Sequence, residues 1–487
     1  MLKLPIPPSR SLPTTFSAGR WLEENYRLVL LVLVAVAVVT RVALVVFAPR
    51  PFGYVWDLYH EGVLQLYDHG RLPSPRDCWE CYPPPLYFVV GVPFYALGKL
   101  LAGGAAAGGL RALALFSMVC AAFVVYYCDR TLRLLKAPKG FLLAATALAL
   151  VLPCLFIGSY AAESDILLTA LMGAFFYRLC RYHLKPGRSS WRDPLILGVL
   201  AGLCGLTKYS GLLALAATAA VMSLRLLRGP RRPRAARDLF ISLVAAVAVC
   251  GWHYAGNWRA AHKFFLAPPW LSNLNAANSV LANFSRYDFS SFKIQEVVDL
   301  YRPERPGALD EFPVYKSVFS SLHALAWTDM TFFSLPVRQP WRLPLNYGEG
   351  GILPMVIDTP ARAIRVAAYP GKRVKLWLID LILRAGLVPT VLALVGLLAT
   401  LRRRALEPFH LYTGISLAAY FWWLLGQDSW AIKTKYVLFL LPAYIVYMVL
   451  GLRASFRLDR RLGLAAVVCL LAALLVSEAY LWMFALG

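Results

Sequence analysis

The sequence predicts an all-α polytopic membrane protein, and three observations carry that reading. Hydrophobic residues make up 59% of its 487 residues, against about half in a soluble globular protein. Apolar runs long enough to cross a bilayer core of roughly 30 Å recur along the chain. They lack the alternation of a membrane barrel, so each is read as a helix. Finally, the 50 Lys and Arg, against 26 Asp and Glu, sit in short clusters between those runs, the pattern that sets topology in a membrane. The net charge of +24 suggests nucleic acid only if the arginines share one folded face with stacking aromatics. They do not, and no nucleic-acid partner is expected.

The first span is RLVLLVLVAVAVVTRVALVVFAP, residues 27–49. It is too long for a cleaved signal and lacks a small-residue cleavage site, so a retained helix is expected. Lys3, Arg10, Arg20 and Arg27 precede it, which places residues 1–27 in the cytoplasm and WDLYHEG (56–62) outside. The stretch 86–104 is short, follows Pro-Pro-Pro and is broken by Pro93 and several glycines. Counted as a span, it turns the basic clusters at 129–140, 178–192 and 224–237 outward. Read as a helix on or dipping into the outer face, it leaves every later cluster inside, including Arg402 to Arg404 and the run 453–461.

The remaining spans then fall near 110–135, 141–159, 166–182, 194–206, 209–227, 239–256, 376–401, 408–426, 436–452 and 464–484, about eleven with the first. The short fifth and sixth are joined by GLTKYSG. Residues 28–256 are expected to form an N-terminal transmembrane catalytic module that includes a first outer loop, 50–109. Residues 257–375, rich in proline and aromatics, form an extracytoplasmic loop or helical subdomain. Residues 376–487 supply the C-terminal transmembrane helices.

This layout gathers the polar residues on one face. The first outer loop carries Asp57, Tyr59, His60, Glu61 and CWECYPPPLY; the second turn carries Glu163 and Asp165; the third carries Lys208 and Tyr209; the last carries Lys433, Lys435 and Tyr436. In a helical WDLYHEG, Asp57 and Glu61 share a face. Asp57 sits beside the membrane surface, where an idle charge is costly. Asp165 opens a span, where a carboxylate also favours the helix N-terminus on purely structural grounds. Arg41 lies within the first span, in its outer half, and needs an internal acid or an anionic ligand unless it snorkels to the interface. Lys208, Lys433 and Lys435 are either interfacial anchors or phosphate ligands. Carboxylates and cations on one membrane face suit chemistry on a lipid phosphate, with an acid as base and cations stabilising the leaving group.

Most of the nine cysteines lie in apolar runs and read as small buried side chains. Cys78 and Cys81 alone share a polar loop. A disulfide in an oxidising compartment is favoured there over half of a metal site, because no His-Cys partner pair is near.

In the order Asp57, then Pro84 to Tyr87, then Glu163 and Asp165, then Thr207-Lys208, the chain resembles the polyprenyl-phosphate-sugar-dependent glycosyltransferases of the GT-C fold. That family includes protein O-mannosyltransferases and the aminoarabinose transferases acting on lipid A. Lys435-Tyr436 before LFLLP resembles the basic-Tyr pair opening a late span in these enzymes. The O-mannosyltransferases carry adjacent Asp-Glu in the first loop, whereas here the Glu waits until position 61. Many relatives place a Lys before Pro-Pro; here Tyr82-Pro83 stands there, so the phosphate cation is sought among Arg41, Lys208, Lys433 and Lys435.

The resemblance implies an inverting hexosyl- or pentosyltransferase that moves a sugar from a polyprenyl-phosphate donor to a lipid, glycan or protein acceptor. Asp57, Asp165 and Glu163 are its expected catalytic acids. Tyr59, His60, Glu61, Tyr82, Tyr87, Arg41, Lys208, Tyr209, Lys433, Lys435 and Tyr436 are expected to bind substrate. No cofactor is required, although adjacent acids leave room for a divalent cation. A bacterial inner membrane with the site facing the periplasm is the expected location. Two other readings fit many spans: a transporter or flippase for a polyprenyl-linked lipid, and a glycan ligase using a diphosphate-linked donor. A transporter usually shows repeated halves and a midplane site, and no internal repeat is present.

Overall fold

The computed structural model describes residues 24–47, 59–75, 77–78, 80–159, 162–184, 190–228, 232–266, 287–300, 317–328, 376–425 and 434–486. Among them no strand forms; an isolated bridge joins Asp288 and Ser317. Everything else is helix or turn, as a bilayer demands of a backbone that must satisfy its own hydrogen bonds. Seven helical segments among the described residues are long and apolar enough to cross a membrane. The expected eleven is not reached by that measure.

Helix α1 (Tyr26–Phe47) is the first span. Leu31, Val32, Val36 and Val39 are exposed along it, an apolar surface suited to lipid. Its buried ends are polar. At the start, Arg133 Nη2 donates to the Tyr26 hydroxyl at 2.6 Å, which donates to Asp129 at 3.4 Å. Helices α2 (Tyr59–His69) and α3 (Leu86–Leu101) pack together against the long α4 (Ala106–Leu134). With 16 residues, α3 is shorter than the roughly 20 a spanning helix needs.

The stretch 141–159 reads as one span but folds as two helices, α5 (Lys139–Val151) and α6 (Pro153–Gly158). Leu152 is extended, with ψ 119°, because Pro153 has no N–H and its ring excludes a continuous helix. The break orphans carbonyls inside the bundle. Arg41 Nη2 donates to Leu150 O at 2.5 Å, and the Ser477 hydroxyl donates to Val151 O. Arg41 Nε also donates to Ser159 Oγ at 3.1 Å, and its guanidinium lies 4.4 Å from the Phe156 ring centroid.

Helix α7 (Ser164–Leu184) is buried along nearly its whole length and forms the centre of the bundle. It ends on Arg178, Arg181 and His183, which lower its apolarity. Helix α8 (Arg192–Thr207) has 16 residues. A one-turn 3-10 helix, Tyr209–Gly211, leads into α9 (Leu212–Arg228), followed by α10 (Arg232–Ala261). Gly198 and Gly202 let α8 and α10 touch backbone to backbone: a Cβ on Gly198 overlaps Ser242 O. Small residues four apart permit such close approach between membrane helices.

Of the long loop, the described parts include α11 (Ile294–Leu300) and α12 (Val318–Trp327), both packed on α13 (Leu376–Ala385). His323 Nε2 lies 2.8 Å from Leu383 O. Then follow α14 (Leu387–Thr400), α15 (Glu407–Leu425), α16 (Leu441–Leu458) and α17 (Arg460–Leu486).

One end of the bundle is rich in arginine and cross-linked. Arg130 reaches Tyr177 at 3.4 Å, Arg225 donates to the carbonyls of Tyr182 and His183, His183 meets Arg404 O at 3.0 Å, and Arg228 pairs with Glu407 at 2.9 Å. The basic clusters around 130, 182, 225 and 404 therefore share one side of the molecule. The candidate site occupies the other.

Candidate functional site

Asp165 sits in the first turn of α7 and is 2% exposed. Lys208 follows the last residue of α8 in an extended conformation, φ −159° and ψ 153°, which turns its stem out of the helix. Its Nζ stands 2.8 Å from each Asp165 oxygen and 5.2 Å from the centroid of the Tyr59 ring. Three elements distant in sequence (α2, α7 and the α8 end) thus meet at one buried ion pair. Such a pair tolerates burial only because both charges are closely matched.

Around it lie further buried polar groups. Glu163, one residue before α7, is 4% exposed; burial first, then the neighbouring Cys120 and Glu163, push the Tyr87 phenol above its ordinary range. Tyr87 is buried, packs edge-on to Tyr59 at 6.4 Å, and its hydroxyl has no hydrogen-bond partner among the described residues. The Ser164 hydroxyl, between the two acids in sequence, is also buried and unsatisfied among the described residues. His60, Glu61 and Glu80 are buried at the same end.

The loop between α2 and α3 is held by two clasps. Asp77 accepts Arg71 through both oxygens, at 2.9 and 3.2 Å, and the Ser74 N–H at 2.7 Å. The Arg71 guanidinium holds the Asp77 carboxyl below its ordinary range. Cys78 and Cys81 form a disulfide with Cα atoms 5.1 Å apart. Beyond it, the Tyr209 hydroxyl donates to Tyr82 O at 2.9 Å and accepts the Leu266 N–H at 2.9 Å. Tyr209 therefore ties this loop, the Lys208 turn and the chain after α10 together.

Of the expected site residues, the structure brings Asp165, Lys208 and Tyr59 into contact and sets Tyr87 beside Tyr59, within reach of the Glu163 charge. Tyr82 and Tyr209 join them through the backbone. Arg41 is held by Ser159 and the broken helix. Asp57 and Lys433 lie outside the described residues, as do the side chains of Lys435 and Tyr436. Sequence reasoning missed Ser164 and Glu80. An acid inside the Cys-x-x-Cys loop was a signal for Glu80, whereas a serine among acids carries none. Among the described residues no group of three or more His, Cys, Asp or Glu comes together to hold a metal.

No protein-family model matches the chain, and no curated protein matches it. Solved structures do. It is similar to archaeal oligosaccharyltransferase AglB from Archaeoglobus fulgidus in complex with an inhibitory peptide and a dolichol-phosphate. That match has 14% identity and TM-score 0.52, and covers 94% of this chain and 56% of that one. The same enzyme tethered to an acceptor peptide containing the NVT sequon matches with TM-score 0.52 and 14% identity over 95% and 56% of the two chains. ArnT from Cupriavidus metallidurans in the apo state matches at TM-score 0.36 and 16% identity, over 90% of this chain and 79% of that one, too slight a likeness to argue from. The AglB match extends over nearly the whole of this chain but little more than half of AglB. At this identity the likeness concerns the fold: the chain has the GT-C fold that its motifs resemble.

Proposed function

We propose that this protein is an integral-membrane inverting glycosyltransferase that takes a sugar from a polyprenyl-phosphate donor and passes it to a lipid, glycan or protein acceptor. The observation that carries the reading is the buried Asp165–Lys208 pair beside Tyr59, with Glu163 and the Tyr87 and Ser164 hydroxyls, unsatisfied among the described residues, alongside. AglB, with the similar fold, is in complex with a dolichol-phosphate in its structure, and a lipid phosphate is the kind of ligand proposed here.

In this mechanism an acceptor hydroxyl attacks the anomeric carbon of the donor sugar. The bond from that carbon to the phosphate oxygen breaks, and the electron pair leaves with the lipid phosphate. Asp57 receives the hydroxyl proton as general base. Lys208 meets the departing phosphate as one half of a pair: Asp165 already offsets its charge, so the phosphate competes with Asp165 for its donors. Lys433 and Lys435 remain as the further cations proposed for that phosphate. Glu163, Ser164 and Tyr87 orient sugar or acceptor hydroxyls. The site faces the periplasm of a bacterial inner membrane, because the arginine-rich end belongs to the cytoplasm.

The test is transfer by the purified full chain from polyprenyl-phosphate sugars in detergent, without any gradient. Product formation that Asp57→Asn reduces by about 10²-fold or more is the expected result. Lipid movement across vesicles without product points instead to the flippase reading, and full activity in Asp57→Asn removes the assigned base.

A further inference from the structure

The arginine-rich end holds a cavity of about 560 Å³ lined by Ser190, Trp191, Pro233, Arg234 and Arg237. It lies where α8 and α10 begin, far from the Asp165–Lys208 pair in the fold. Beneath it Asp238, 1% exposed, uses both oxygens: Oδ2 accepts the Tyr182 hydroxyl at 3.0 Å and Oδ1 accepts Arg237 Nε and Nη2 at 3.2 and 2.8 Å. Arg234 adds a longer ion pair to Oδ2 at 3.9 Å. One carboxylate therefore holds two guanidiniums, and Nη1 of Arg237 makes no hydrogen bond among the described residues. Arg192 stands over the Trp191 ring at 5.9 Å. Asp193, which accepts the Ser190 N–H at 3.2 Å, offsets part of this charge. Arg192, Arg234 and Arg237 against Asp193 and Asp238 still leave the rim positive.

What lies beyond Arg237 on α10 identifies the ligand's other half. Phe240, Val244 and Val247 follow at helical spacing on the same face and are 69%, 50% and 59% exposed. They belong to a helix apolar enough to cross a membrane. A cationic hollow continued by an exposed apolar stripe fits a molecule with a phosphate head and hydrocarbon tails.

We propose that this cavity is a binding site for the phosphate headgroup of an anionic membrane lipid, on the face opposite the transferase site. Arg234 and Arg237 grip the phosphate, Trp191 sits at the interface, and the acyl chains run along Phe240, Val244 and Val247. Asp238 acts as a positioning residue that keeps the guanidiniums in place.

The experiment is native mass spectrometry of the full chain released from detergent containing dioleoyl phosphatidylglycerol, dioleoyl phosphatidylcholine or inorganic phosphate. Phosphatidylglycerol is expected to be retained in preference to phosphatidylcholine. Removing each arginine, as Arg234→Gln and Arg237→Gln, is expected to weaken that retention roughly five-fold. Arg402→Gln, an exposed arginine at the same end, is expected to leave it unchanged. Equal loss in Arg402→Gln, or no loss in the Arg234→Gln/Arg237→Gln double variant, overturns the proposal. So does inorganic phosphate displacing the lipid completely at low millimolar concentration, which marks a site for a free anion. Should the double variant fail to fold, Arg237→Lys and Trp191→Ala carry the same comparison: the first keeps the charge opposite Asp238 but loses the forked grip, and retention unchanged in both is equally fatal.

Discussion

Lys208 reaches across from the end of α8 to hold both oxygens of Asp165 at 2.8 Å, with the Tyr59 ring beneath its ammonium. With side-chain exposures of 12% and 2%, neither group has bulk water to fall back on. Removing one partner takes the closest opposite charge from the other. Asp165→Asn and Lys208→Met are each expected to cost about 3–5 kcal/mol of stability, and the double variant less than their sum, with a coupling above about 1 kcal/mol. Thermal unfolding of the four proteins in one detergent measures this; additive losses mean the two residues do not interact.

Tyr87 separates binding from stability. Its buried hydroxyl is unsatisfied among the described residues, so Tyr87→Phe removes a polar group that contributes no internal bond. Stability is expected to hold or rise by about 1 kcal/mol while sugar transfer falls. A fall in melting temperature with unchanged transfer marks the hydroxyl as structural.

Arg41 answers the break before Pro153. Arg41→Leu leaves the Leu150 carbonyl and the Ser159 hydroxyl without their donor, and a loss of about 3 kcal/mol or more is expected. Ser477→Ala removes one donor to Val151 O and is expected to cost only about 1 kcal/mol. Melting in detergent ranks the two, and an equal effect contradicts the assignment.

The Arg71–Asp77 clasp makes the loop between α2 and α3 sensitive to acid. Its carboxyl is depressed in the folded chain, so the clasp stabilises fully above the ordinary carboxylate range. That contribution is lost as pH falls through the depressed value. Wild type is expected to exceed Asp77→Asn in melting temperature near about pH 7, and the gap to close as pH falls below the ordinary carboxylate range. A gap independent of pH removes the linkage. In the same loop, alkylation of the intact protein is expected to spare Cys78 and Cys81 until a reductant is added.

Gly198 bears the contact between α8 and α10. Gly198→Leu forces its side chain into Ser242 O, and a loss of at least about 1–3 kcal/mol is expected. Expression as a monodisperse, equally stable protein shows that the two helices separate at no cost.

Much of the helical layout was legible because apolar runs and basic clusters report the bilayer directly. Hydropathy does not tell lipid from protein interior, however. The exposed face of α1 and the buried α7 read alike as apolar runs, so the central helix was not visible as central. The stretch 141–159 reads as continuous because Leu152 and Cys154 are as apolar as their neighbours, and Pro153 alone marks the break. Asp165 and Lys208 both stood out as charges beside the membrane. Their pairing did not, since 43 residues separate them and no local pattern encodes a contact made by tertiary folding. Ser164 carried no signal at all, because its interest lies only in being buried without a partner.

The single oxygen of Tyr209 serves two strangers at once, the segment after the Cys81 bridge and the chain at Leu266, and so fixes both to its own turn, which bears Lys208. Chimeras that exchange the 257–375 segment for another sequence inherit this shared knot. The turn bearing Lys208 is tethered to the very segment being exchanged, so a graft that fails to return an amide at position 266 loosens that turn and the Asp165 pair it carries.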